Sequence, residues 1–396
     1  MQIVPAKRME GFEEGIFQVL NEKKQEVEAQ GGKVYNFSVG TPDFQPARHI
    51  MDAVCAAAAK PENYKYALKD LPELTESVIK RYKTRYGVDL VSSEIMSVYG
   101  SQEGIAHIGL SLINEGDIVL VPDPGYPIFA IGPALAGARL ETYSLSLAND
   151  WLPDLEELAA KYGKGADEGR RAKMMIVSYP LNPICKAAPD SFYERLIPWA
   201  RENEILILHD NAYSDIIYDG RVGRSILSFE GAKEVAVEFY SLSKSFNYTG
   251  ARMGFLAGNE KVVQNFKKLR SQIDYGTFLP VQYGAIAALT GPDDKVRAQC
   301  AEYERRRNVL CDGFTELGWP FERSQGTMFA WSRIPERFGD DDVHFVMELL
   351  EKSGVLCTPG SSFGEQGKGH VRFALVLPAE TIREALKQVA DSGVLG

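Results

Sequence analysis

Short runs of aliphatic and β-branched residues alternate along the chain with longer stretches in which apolar side chains recur every three or four positions. The short runs predict strands at Ile95–Tyr99, Ile118–Val121, Leu140–Tyr143, Met174–Ser178, Ile205–His209, Val235–Tyr240 and Gly254–Ala257. Ile118-Val119-Leu120-Val121 and Ile205-Leu206-Ile207-Leu208 are apolar without a break, as strands covered on both faces of a parallel sheet must be. Helical spacing is seen at Leu74, Val78 and Tyr82, at Ile105, Ile108, Gly109 and Leu112, and at Ile382, Ala385, Leu386 and Val389. Strands alternating with helices predict a doubly wound α/β sheet. Beyond about residue 290 the rhythm changes. A charged helix over Asp293–Leu310 precedes short strands around Thr327–Trp331 and Val371–Leu375, which reads as a smaller α+β domain. The expected division is an N-terminal arm with part of the small domain (1–45), a large domain (46–285) and a small C-terminal domain (286–396).

Composition narrows the class. The 396 residues are 45% hydrophobic and 25% charged, which is ordinary for a globular enzyme and wrong for a disordered chain. The net charge of −10 argues against nucleic acid and against a polybasic membrane surface. Five cysteines without a CxxC fit a reducing cytoplasm better than a disulfide framework or a zinc site. The N-terminus carries no apolar secretory run, and the longest apolar stretches are far too short to span a bilayer. The five histidines show no ligand spacing, so no metal is expected and packing or surface positions are.

Ligands of open α/β sheets bind beyond the carboxyl ends of the strands, and those ends hold the chemistry here. Gly100-Ser101-Gln102-Glu103-Gly104 opens a helix, which makes an anion site. The other strand ends lead into Pro122-Asp123-Pro124-Gly125-Tyr126-Pro127, Tyr179-Pro180-Leu181-Asn182-Pro183, Asp210 with Tyr213 three residues on, and Ser241-Leu242-Ser243-Lys244 followed by Gly250-Ala251-Arg252. One rim therefore gathers an amide, a carboxylate, a phenol, an amine and an arginine. Pyridoxal 5'-phosphate (PLP) asks for such a set: a lysine for its aldehyde, a carboxylate for its ring nitrogen, donors for its phenolic oxygen and an anion site for its phosphate.

On these segments the chain resembles the class I/II aminotransferases of the fold-type I PLP enzymes. The resemblance runs from Gly40-Thr41-Pro42-Asp43-Phe44 to Val371-Arg372-Phe373, and its most specific stretch is Ser241 to Gly254. It implies a mostly parallel seven-stranded sheet in a large PLP-binding domain, a smaller α+β domain, and a homodimer with shared sites. It further implies that Lys244 is the Schiff-base lysine and proton shuttle, and that Asp210 pairs with the ring nitrogen. Asn182 and Tyr213 would bond the phenolic oxygen, and Tyr126 would stack on the ring. Ser101, Gln102, Ser241, Ser243 and Arg252 would hold the phosphate, with Glu103 beside them. Arg372, helped by Gly40 and Asn182, would take the substrate α-carboxylate. Tyr66 or Tyr64, with Thr277, would reach the neighbouring subunit's phosphate. Amino acid and 2-oxo acid would then exchange an amino group in a ping-pong cycle, as in aspartate, aromatic and LL-diaminopimelate aminotransferases. Side-chain specificity would come from Phe12–Ile16, Thr277 and Gly326-Thr327-Met328.

Other readings compete. Ser243-Lys244-Ser245-Phe246-Asn247 also resembles the lysine segment of carbon–sulfur β-lyases. A non-catalytic PLP-binding module and a nicotinamide dehydrogenase rank lower, the latter for want of a GxGxxG turn. The chain departs from the family at Ile184-Cys185, where Thr-Gly is common, at Asn211, where an acidic residue is common, and at Asp70, where a glycine follows the tyrosine. Gly364–Gly369 reads as a flexible loop near the substrate, Cys185 as inert, and Arg305-Arg306-Arg307 as a solvated helix face.

Overall fold

The computed structural model describes residues 3–9 and 16–395. Among the described residues twelve strands are formed: β1 (Tyr35–Asn36), β2 (Ile95–Val98), β3 (Ile118–Asp123), β4 (Arg139–Ser144), β5 (Ala172–Val177), β6 (Leu206–Asn211), β7 (Ala236–Ser241), β8 (Gly254–Gly258), β9 (Phe329–Arg333), β10 (Val355–Leu356), β11 (Thr358–Pro359) and β12 (His370–Ala374). The seven strands expected from the apolar runs make one sheet in the order β2-β8-β7-β6-β5-β3-β4. Its pairs are parallel except around β8, which runs antiparallel to both β2 and β7. The unbroken apolar runs fall in β3 and β6, where burial is nearly complete, whereas in edge strand β4 only Tyr143 is buried.

Several strands extend past their apolar runs. Asp210 and Asn211 still pair with Phe239 and Tyr240 across β6 and β7, because the backbone ladder is indifferent to side-chain polarity. Asp210 and Ser241 therefore sit on rigid strand ends rather than in the loops that follow.

The remaining strands make a three-stranded antiparallel sheet, β11-β12-β9, and a two-stranded parallel pair, β1-β10. Through β1 the N-terminal arm joins the C-terminal region. Phe37 N–H donates to Leu356 O, Ala374 N–H donates to Phe37 O, and the Phe37 ring meets Phe373 edge-on. The charged helix spans Asp294–Glu316, and its arginines correct the expectation of a solvated face. Arg305 is half-exposed, but Arg306 and Arg307 are buried. Arg306 grips both carboxylate oxygens of Asp43 and donates to Leu375 O. Arg307 grips Asp219 and donates to Ser324 O. Burial is tolerated because each guanidinium keeps a bidentate carboxylate. Among the described residues no helix is long and apolar enough to cross a membrane.

Candidate active site

A cavity of about 540 Å³ opens beyond the carboxyl ends of the large sheet's strands, against β9 and β12. It is lined by Gly40, Ser101, Gln102, Tyr126, Asn182, Asp210, Tyr213, Ser241, Ser243, Lys244, Arg252 and Arg372. The structure thus brings together the expected site residues, with Glu103 and Tyr66 as exceptions. Glu103 faces away and accepts hydrogen bonds from Tyr99 N–H and Arg270 and pairs with His107. Successive helical residues turn by about 100°, so a helix that aims Ser101 and Gln102 at the cavity cannot also aim Glu103 there.

The floor is built from close backbone approach. Gly100, at φ +82°, leaves room for the Arg252 guanidinium, since a Cβ at 100 would lie 2.6 Å from Nη2. Arg252 itself has φ +55° and is held by its Nη1 donating to Thr249 O. Next to it the helix Ser101–Leu112 begins with free backbone N–H groups, and Ser241 caps the short turn carrying Lys244 by accepting from Ser243 N–H. A guanidinium, two hydroxyls and a helix start form a cradle for a phosphate.

Lys244 Nζ donates to Gly40 O at 2.8 Å. Burial, reinforced by Arg372 and Arg252, pulls its pKa down to about 8. Asp210 shows the opposite shift: burial pushes it up to about 7, opposed by His209. Its Oδ1 is buried without a hydrogen-bond partner. A rigid acceptor left empty in a cavity is matched by the N–H of a protonated ring nitrogen. Tyr126 donates to Gln102 Oε1, and burial raises the pKa of both Tyr126 and Tyr213, so the phenols are donors at neutral pH.

Arg372 lies mid-strand in β12 and is buried. Its guanidinium is sandwiched by Phe329 at 4.1 Å and Phe363 at 4.6 Å. Its nitrogens donate to Asn182 Oδ1 and Ser38 O, and its Nε has no partner. Burial lowers its pKa to about 10. Among the described residues no carboxylate bonds it, so a buried cation faces the cavity in need of an anion. Asn182 spends its oxygen on Arg372, which leaves its amide N–H groups to a ligand.

A family profile described as "Aminotransferase class I and II" matches residues 32–389. The chain belongs to the class I and II aminotransferases. It is 38% identical over 386 residues to an LL-diaminopimelate aminotransferase of Moorella thermoacetica, covering 97% of both chains. It is 37% identical to the glutamate-pyruvate aminotransferase AlaC of Escherichia coli, covering 94% of this chain and 90% of that one. Its fold superposes on BacF from Bacillus subtilis with a TM-score of 0.91 at 33% identity, over 99% and 98% of the two chains. Family members are PLP-dependent, and the cradle, the empty Asp210 oxygen and the buried amine fit that cofactor. Family membership removes the dehydrogenase reading.

Some site expectations need correction. Thr277 is buried within the chain, so its side chain has no exposed face to offer a neighbour. Thr327 and Met328 are also buried, Thr327 Oγ1 donating to Cys185 Sγ; the cavity wall in that segment is Phe329. Phe12–Gly15 lie outside the described residues. Within Gly364–Gly369, Gln366 N–H donates to Asp123, and Phe363 just before it accepts from Gly125 N–H. Cys185 is buried and its thiol is pushed up to about 12 by burial, which fits an inert role. Phe363, Thr249 and Ser38 line the cavity and were missed, because nothing in their local pattern separates them from core or turn residues.

Proposed function

We propose that this aminotransferase runs a ping-pong exchange between an L-amino acid and a 2-oxo acid, with Lys244 as the covalent attachment point and proton carrier. The observation that carries this reading is one cavity holding an amine with a pKa near 8, a partnerless buried carboxylate oxygen and a buried arginine without a carboxylate. PLP, when bound, supplies an electron sink for the electrons of the substrate's Cα–H bond. Asp210 holds the proton on its ring nitrogen, and Arg252, Ser101, Ser241 and Ser243 hold its phosphate. Arg372 and Asn182 bind the α-carboxylate and so orient Cα toward Lys244. With its pKa near 8, Lys244 would carry the proton between the substrate's Cα and the cofactor's C4′ at neutral pH. Phe329, Phe363 and Tyr126 give the cavity aromatic walls.

In this reading the chain divides at about 45 and 285, and the arrangement of the large sheet and of the smaller β11-β12-β9 sheet supports that division. A homodimer is part of the reading. Tyr66 is 76% exposed against the ring of Tyr275, and Tyr64 is 64% exposed against Phe278. Such paired aromatics on a surface are costly unless covered, and from there Tyr66 or Tyr64 would reach a neighbour's phosphate. All five cysteines are free, which supports a cytoplasmic setting.

Borohydride reduction followed by digestion and mass spectrometry should place a phosphopyridoxyl group on the Lys244 peptide. Its location on another lysine, or its absence after reconstitution with PLP, refutes the reading. Mixing the holoenzyme with single amino acids and following the cofactor's absorbance then ranks the donors.

A further inference from the structure

Among the described non-glycine residues with φ in the left-handed region, Thr327, at +69°, is the only β-branched one. A branched Cβ makes that conformation costly, whereas glycine adopts it freely. The backbone is held there by Thr327 N–H donating to Ile216 O at 2.9 Å and by Tyr218 Oη donating to Thr327 O. What threonine adds over glycine is a buried hydroxyl that is engaged twice. Its Oγ1 donates to Cys185 Sγ at 3.2 Å and accepts from Phe329 N–H at 3.1 Å. A hydroxyl can do both at once, so one oxygen ties β9 to a turn 142 residues earlier in the chain.

Both tied segments carry a contact of Arg372. On one side, Cys185 N–H donates to Leu181 O and closes the turn that contains Asn182, whose Oδ1 accepts from Arg372 Nη1 at 2.8 Å. Cys185 O in turn accepts from Gln325 N–H and Gly326 N–H. On the other side, Phe329 opens β9 and lays its ring 4.1 Å from the Arg372 guanidinium. The same ring stands edge-on to Tyr213 and lies so close to Gly40 that a Cβ there would be 2.8 Å from Phe329 Cζ. Thr327 itself is 0% exposed and does not line the cavity, so whatever it does at the site it does through these neighbours.

We propose that Thr327 is a positioning residue for Arg372. Its hydroxyl fixes the spacing between the Asn182 turn and the first residue of β9, and with it the place of the guanidinium between an amide oxygen and an aromatic ring. This rests on the aminotransferase reading, in which Arg372 takes the α-carboxylate, and deepens it. It also replaces the expectation that Thr327 contributes to side-chain specificity. A device that aims the reader of a group common to every donor affects all donors alike.

The test measures binding of propanoate, a carboxylate without an amine, to PLP-loaded enzyme by calorimetry, together with half-reaction kinetics for two donors of unlike side chain. Thr327→Val keeps the shape and removes both hydroxyl bonds. Thr327→Gly removes them and relieves the backbone, and Thr327→Ser keeps the hydroxyl. The valine and glycine variants should each bind propanoate about tenfold more weakly, in line with the loss of buried hydrogen bonds. They should raise KM for both donors by the same factor with little change in kcat, and the serine variant should restore wild-type values. Unchanged propanoate affinity in the folded, PLP-loaded valine and glycine variants, a serine variant as weak as valine, or a loss confined to one donor overturns the proposal. Thr327→Gly decides alone if the valine variant does not fold, since glycine accepts the native φ. Wild type that binds no propanoate, or Arg372→Leu that binds it as well as wild type does, would instead overturn the assignment of Arg372 on which the proposal stands.

Discussion

Replacing Lys244 by methionine should make the apoprotein more stable at pH 7. The amine is buried between two arginines, and its pKa falls from 10.5 to about 8. At about 1.4 kcal/mol per tenfold change in proton affinity, holding that ammonium in place costs the folded apoprotein about 3 kcal/mol. The unfolded chain binds the proton more tightly, so stability rises with pH between about 8 and 10.5 and the cost is fully present below about 8. Methionine has similar volume and no charge. It gives up the bond to Gly40 O, a loss of about 1 kcal/mol. The net gain at pH 7 is then about 2 kcal/mol, and by pH 10.5 it should have reversed to a deficit of about 1 kcal/mol. Urea denaturation of both apoproteins at one protein concentration, from pH 6.5 to 10.5, measures the difference. A Lys244→Met apoprotein less stable at pH 7, or a stability difference that does not change with pH, refutes the claim that this amine is held against its solvation.

Two further outcomes are expected. Arg372→Leu removes the charged partner of the substrate carboxylate and should lower kcat/KM of the half-reaction by about 3–5 kcal/mol, or 10²- to 10³-fold and more; an unchanged value in stopped-flow absorbance removes Arg372 from that role. Gly100→Ala places a Cβ 2.6 Å from Arg252 Nη2 at a φ of +82°, so PLP affinity measured by equilibrium titration should fall about tenfold or more, whereas undiminished affinity would mean that Arg252 does not hold the phosphate where this geometry puts it.

The large sheet was legible because its strands are buried on two faces, which leaves unbroken apolar runs such as Ile118–Val121. The site followed, since Asp210, Lys244 and Arg252 sit at fixed offsets from those runs. Where the strands ended was less legible. Asp210 and Ser241 are ladder residues although they are polar, because the backbone bonds that extend β6 and β7 leave no mark on side-chain pattern. Pairings distant in sequence were invisible. Arg306 and Arg307 look like a solvated run until Asp43 and Asp219 arrive from other elements. Glu103 was misread for a geometric reason: neighbouring positions in a helix start share a motif but not a direction. His209 has no spacing signature, since its partner Glu238 is supplied by sheet pairing.

Arg306 joins two parts of the cavity wall that are far apart in sequence. One guanidinium fastens Asp43, three residues from the carbonyl that tethers Lys244, and also Leu375, three residues beyond Arg372. The proposed reader of the substrate's acid group and the carbonyl that holds the Lys244 amine thus hang from a single rivet. Loss of the Arg306 guanidinium would therefore release both attachments together.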